Sequence, residues 1–181
     1  MNIFSRCIWA ATAGVVALSA CAVERKAPMS DVPAALLPPA KQALIVSTRG
    51  AGVQIYECRA SKSDPTAFAW ELTAPEAVLR RDSGQEFARH YAGPTWQAND
   101  GSSVVGEVVA HVAASDNAAI PWLLLRAKSH QGTGIMARVE FIQRLHTVGG
   151  KPPVSGCDAG YVGTKVRVDY SADYDFYTER P

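Results

Sequence analysis

Three residues in this chain, His90, Glu107 and His111, are of the types that hold a metal. Two imidazoles and one carboxylate form a familiar ligand set. Whether they meet depends on Asn99-Asp100-Gly101, the strongest short-range hairpin signal in the sequence. If Asp100-Gly101 is a two-residue turn, Asn99 pairs with Ser102, Trp96 with Val105 and His90 with His111. Directly opposed side chains lie about 4.5–5.5 Å apart at Cβ, close enough to share an ion. Glu107 then falls on the same face as His111. Two features oppose this arrangement. Pro94 interrupts the ladder, and a three-residue Asn-Asp-Gly turn shifts the register by one and parts the pair. The pattern therefore favours no metal site, and no cofactor is expected.

The stretch His90-Tyr91-Ala92-Gly93-Pro94-Thr95-Trp96 carries a second kind of chemistry. His90, Tyr91 and Trp96 could form a ligand patch, with the aromatic rings as a stacking platform. The competing reading makes Trp96 core and His90 a hydrogen-bonded bridge to a loop. Ser102, Ser103 and His111 supply a nucleophile and a base on paper, but no Gly-x-Ser-x-Gly elbow exposes a serine. Asp169, Asp173 and Asp175 alternate along one segment, as solvated side chains on a strand do. Gly50-Ala51-Gly52 has the start of a dinucleotide-binding loop, but Ile55 occupies the third glycine position. The sequence after it is β-branched and aromatic where that fingerprint needs a helix.

These residues sit in a chain of 181, with 48% hydrophobic and 19% charged residues, which can bury a single-domain core. The net charge is +1, so there is no basic field to draw in nucleic acid.

The start of the chain reads as an export signal. One cationic residue, Arg6, precedes the uncharged apolar run Ile8 to Ala20. A membrane span needs about 20 apolar residues, more than this run has. The run ends in Leu18-Ser19-Ala20-Cys21, which looks like a bacterial lipobox. On this reading residues 1–20 are a lipoprotein signal peptide and Cys21 is lipidated. A plain secreted protein cut after Ala22 is the alternative. Residues 21–39 then form a tether with Pro28, Pro33, Pro38 and Pro39. Ala22 stands where an aspartate would signal retention at the inner membrane, so the expected place is the periplasmic face of the outer membrane. Cys7 leaves with the leader and Cys21 takes the lipid. Cys58 and Cys157 remain, an even count in an oxidising compartment, and are expected to pair. Two buried thiols, or a reactive Cys58, are the alternative.

Residues 40–181 read as one β domain. Leu44, Val46 and Thr48 alternate in a first strand, Gly50-Ala51-Gly52 is expected to turn the chain, and Val53 to Arg59 follows as a second strand. Phe68, Trp70 and Leu72 alternate in the next. Trp122 to Leu125 is a continuous apolar run, read as a buried strand. Val139, Phe141, Gln143, Leu145 and Thr147 share one face, with Arg138, Glu140, Ile142, Arg144 and His146 on the other. Val166, Val168, Tyr170, Ala172, Tyr174 and Phe176 share a face in the last strand. Short strands, frequent turns and no long amphipathic helix predict an all-β, mainly antiparallel sandwich or barrel with little helix.

The blocks His-Tyr-Ala-Gly-Pro-Thr-Trp (90–96), Asp-Gly-Ser (100–102), Ile-Pro-Trp-Leu-Leu-Leu (120–125), Ile-Gln-Arg (142–144), Thr-Val-Gly-Gly (147–150) and Tyr-Ser-Ala-Asp-Tyr (170–174) resemble the family called domain of unknown function 3455. Val-Gln-Ile-Tyr-x-Cys at 53–58 resembles it too. The likeness runs from about Val32 to Tyr177. It implies an exported single domain and carries over no catalytic residue. The expected function is a membrane-anchored envelope lipoprotein whose β domain binds a small molecule, glycan or protein partner. The rival is an envelope hydrolase or metal-dependent enzyme centred on His90, His111 and Glu107.

Overall fold

The computed structural model describes residues 31–180. Cys7, Cys21, the expected signal peptide and the first part of the expected tether lie outside them.

Eight strands follow in chain order: β1 (Gln42–Ala60), β2 (Phe68–Arg80), β3 (Glu86–Tyr91), β4 (Thr95–Ala98), β5 (Ser103–Val112), β6 (Trp122–Gln131), β7 (Phe141–Gly149) and β8 (Lys165–Glu179). Each pairs antiparallel with the next, and β8 returns to β1, so the sheet closes into an up-and-down barrel. Of the two all-β architectures that the pattern allows, the chain adopts the barrel. Besides strands, the described residues form two 3-10 turns, Ala34–Leu36 and Ile135–Arg138.

The turn expected at Gly50-Ala51-Gly52 is absent, because β1 runs straight through it. These glycines serve close approach. A Cβ on Gly50 would lie 2.6 Å from the Tyr174 ring, and one on Gly52 would lie 2.1 Å from the Glu76 carbonyl oxygen. The inward space beside Gly50 is thus reserved for an aromatic ring.

The period-two face of β8 points inward as its sequence predicts, with Tyr170, Ala172, Tyr174 and Phe176 buried. Around Phe176 the lumen is filled by Val46, Leu79, Phe87, Val104, Met136 and Ile142. The outer surface carries ion pairs such as Arg49–Asp173, Arg126–Glu107 and Arg167–Glu76, as suits a water-facing wall.

On the outer side of β5, β6 and β7 a second apolar cluster forms. Leu36 is fully buried there against Leu124 and Leu145, with Val32, Trp122 and Phe141 packed around it. The Gln143 side chain donates to the Leu36 carbonyl at 2.6 Å, and His146 bridges Asp31 and Asp173 at 3.2 and 2.9 Å. The stretch Asp31 to Leu37, assigned above to the tether, is therefore a strap bound to the barrel wall. It also explains β7: Phe141, Gln143 and Leu145 face outward beneath the strap, while Ile142 and Arg144 face the lumen.

Cys58 and Cys157 form a disulfide with a Cα–Cα distance of 5.3 Å. It ties the long β7–β8 connection to the end of β1. The Tyr56 hydroxyl adds a 2.6 Å bond to the Gly150 carbonyl in that connection.

Candidate functional site

Two strands of the barrel are short. The Gly93-Pro94 break closes a small hairpin between β3 and β4, in which His90 lies opposite Trp96. β2 meets β3 only from Ala77 to Arg80. β5 meets β4 through Val105, and the Gly106 amide donates to the Pro94 carbonyl where the hairpin ends. Past the end of the β3–β4 hairpin no strand joins β2 to β5, which leaves a window in the wall. Pro75 sits on the β2 edge of the window, where its missing N–H forfeits no ladder bond.

Register shows what the window uncovers. Leu72 lies opposite Tyr56, and Val108 lies opposite Leu125, so both side chains share the lumen face. Yet they are 54% and 52% exposed, respectively. Inward apolar side chains this accessible mark an opening. Behind it lies a cavity of about 260 Å³, walled by Leu72, Val108, Leu123 and Leu125, with Gln54, His90, Trp96 and Arg144 as its polar groups.

His90 is 3% exposed and stacks on Trp96, with centroids 4.3 Å apart and planes 7° from parallel. Tyr174 meets both rings edge-on at 5.6 and 5.9 Å. The His90 Nδ1 is 2.9 Å from the Thr95 carbonyl, so the neutral ring carries its proton there and donates it. Burial pushes the His90 pKa down to about 3, with Arg144 adding to the shift and the Thr95 bond opposing it. At neutral pH this imidazole is uncharged.

Two of the residues that line the cavity carry unsatisfied donors. Trp96 Nε1 and Gln54 Nε2 are buried and find no hydrogen-bond partner among the described residues. Buried donors are normally paired, so such atoms point to a missing partner. Arg144 donates from Nε and Nη2 to the Pro121 carbonyl, at 3.2 and 2.8 Å. Its charge opposes the burial that raises the hydroxyl pKa values of Tyr56 and Tyr174. The Tyr170 and Tyr174 hydroxyls bond each other at 3.1 Å. The site is thus a small apolar chamber whose polar groups are mainly donors.

The three ligand-patch residues separate. His90 and Trp96 line the chamber, whereas Tyr91 is on the outer face of β3, where its hydroxyl donates to Gln97 at 3.4 Å. Strand alternation demands this split.

The facing histidines are corrected. Trp96 pairs with Val104, one residue from the register that brings His90 to His111, and His90 itself is taken by Trp96 across the β3–β4 hairpin. His111 lies opposite Leu123 and is exposed, and Glu107 is ion-paired to Arg126 at 2.6 Å on the outer wall. No cluster of three His, Cys, Asp or Glu side chains suited to a metal occurs among the described residues.

Ser102 has a structural task. Its hydroxyl donates to Asp100 Oδ1 at 2.6 Å and accepts from the Met136 amide, while Asp100 Oδ2 accepts from the Ile135 amide. These bonds dock the Ile135–Arg138 turn onto the β4–β5 loop. Gln54 and Arg144 are the chamber residues that sequence reasoning passed over. Both fall in blocks that carry the family resemblance, Val-Gln-Ile-Tyr-x-Cys for Gln54 and Ile-Gln-Arg for Arg144.

A family model described as a protein of unknown function (DUF3455) matches residues 39–178. No curated protein and no solved structure matches the chain.

Proposed function

This chain belongs to the DUF3455 family, and we propose that it works as a binding module, a barrel that admits a small molecule through the lateral window. The observation that carries this reading is a cavity with an exposed apolar rim, two of whose lining residues, Trp96 and Gln54, hold a buried donor without a partner. Leaving a buried donor unpaired costs about 1–3 kcal/mol. A ligand acceptor removes that penalty at two atoms while the chamber buries its apolar part. Apolar walls with a few fixed polar groups are the usual composition of a small-molecule site.

The setting of this module is the cell envelope. We propose that a lipid on Cys21 holds it at the periplasmic face of the outer membrane. The Cys58–Cys157 bridge fits an exported domain, since such bonds persist in oxidising compartments. The water-facing outer wall fits a tethered barrel better than a spanning one. Cys21→Ser should leave the chain unprocessed or free of membranes after fractionation. A processed variant that still pellets with membranes through a high-salt wash would refute the anchor.

Binding is tested by calorimetric titration of the mature protein with benzamide and benzoate. Val108→Trp places an indole across the window. Saturable 1:1 binding that this variant abolishes is expected. If neither probe binds, or if the variant binds as the wild type does, the window does not lead to a binding site.

A further inference from the structure

We propose that the ligand is a small organic carboxylate whose charge is met by Arg144 and whose apolar body fills the chamber. This deepens the binding reading above and rests on it.

Arg144 projects from the lumen face of β7 into the cavity and is only partly exposed. Among the described residues no carboxylate is ion-paired with it. Its protein partners are the Pro121 carbonyl and the Tyr174 hydroxyl, both neutral groups. A half-buried guanidinium without a counter-charge is poorly compensated, since interior charges are stable when paired. The groups around it do not supply the missing charge. His90 is neutral, and the hydroxyls of Tyr56, Tyr170 and Tyr174 hold their protons at neutral pH.

The remaining polar atoms select the same chemistry. Trp96 and Gln54 line the same cavity as the cation, and each holds a buried N–H donor without a partner. A carboxylate brings two oxygens with about four acceptor sites, which matches a guanidinium and neighbouring N–H groups. An ammonium ligand would face Arg144 with like charge. The chamber also limits size. At about 260 Å³ it falls just below the roughly 300–1,000 Å³ usual for ligand pockets. The side chains of Leu72, Val108, Leu123 and Leu125 call for an apolar body.

The experiment compares benzoate, its neutral isostere benzamide and the bodiless acid acetate, by calorimetry on the mature protein. Benzoate should bind at least tenfold tighter than benzamide, as charge-assisted hydrogen bonds require, and at least about tenfold tighter than acetate, from burial of the ring. Arg144→Gln should remove the preference for benzoate over benzamide, bringing the two affinities within about twofold of each other. Because Arg144 also holds the Pro121 carbonyl, Gln54→Leu is the second variant. It deletes an unpaired donor and should weaken benzoate several-fold with the barrel intact. Equal affinity for benzoate and benzamide, or benzoate binding that ignores both substitutions, overturns the carboxylate assignment while the binding module stands. Acetate binding as tightly as benzoate overturns the apolar body. If no probe binds at all, the binding reading falls with it.

Discussion

The His90 ring is buried and neutral in the barrel, so acid should unfold this protein over a defined pH range. The unfolded chain carries a histidine with a pKa near 6.5, whereas the folded ring holds off its proton until about 3. Below pH 6.5 the unfolded state therefore binds a proton that the native state refuses, and stability falls with falling pH through that interval. Linkage gives about 1.4 kcal/mol per pH unit once the unfolded histidine is charged. Between pH 7 and pH 5 the loss from this one ring is about 2 kcal/mol. His90→Phe keeps an aromatic ring for the Trp96 stack and removes the titration. It also deletes the bond to the Thr95 carbonyl, which should lower its stability at pH 7 by about 1 kcal/mol. Urea unfolding of both proteins at pH 7, 6 and 5 isolates the effect, because the carboxylates and the other histidines are common to both. The wild type should lose about 2 kcal/mol more than the variant over this interval. Equal losses would mean that His90 is protonated at pH 5 inside the fold, and the description of a dry, neutral chamber wall would be wrong.

Three further substitutions probe the frame. Leu36→Ala empties a fully buried site beneath the strap and should cost about 2–5 kcal/mol in chemical unfolding, whereas a free tether would give no change. Removing the bridge by a Cys58→Ser, Cys157→Ser double substitution releases a link of sequence separation 99, worth on the order of 4–5 kcal/mol in the chain-entropy model. A midpoint of unfolding unchanged by the double substitution would show that the β7–β8 connection is held without it. Gly101 has φ +87 and nothing within 4 Å of its Cβ position, so Gly101→Val should cost about 1 kcal/mol from backbone strain alone. Unchanged thermal stability would contradict the turn geometry.

The strands that alternate against solvent were legible from sequence. β8 shows its inward face at period two because its outward residues are Lys165, Arg167, Asp169 and their like. β7 misleads for the opposite reason. Its outer face is covered by Leu36 and the strap, so the alternation of Phe141, Gln143 and Leu145 with Ile142 and Arg144 does not tell which face is inward. The pattern reports burial, and here both faces are buried. The window was hidden in the same way, because it depends on where a hairpin ends. Gly93-Pro94 marked a break, but the length of β3 beyond it is set by pairing with β2 and β4. Of the candidate patch, His90 and Trp96 share parity across that break and meet, while Tyr91 has the other parity and faces outward. The register at Asn99-Asp100-Gly101 turned on one residue. The chain takes the register that parts His90 from His111, as the Asp100 side chain bonds Ser102 and the Ile135 amide.

A ligand held in the chamber behind the window would lie against Trp96. The folded domain has three tryptophans, Trp70, Trp96 and Trp122, and the Trp70 indole already donates to the Ser155 carbonyl at 3.0 Å. Nitrogen-15 spectra of the mature protein, titrated with benzoate, read the indole N–H groups one by one. The Trp96 Nε1–H should show a saturable downfield shift as it gains its acceptor, with Trp70 unmoved. A Trp96 indole resonance that stays fixed throughout the titration would contradict it.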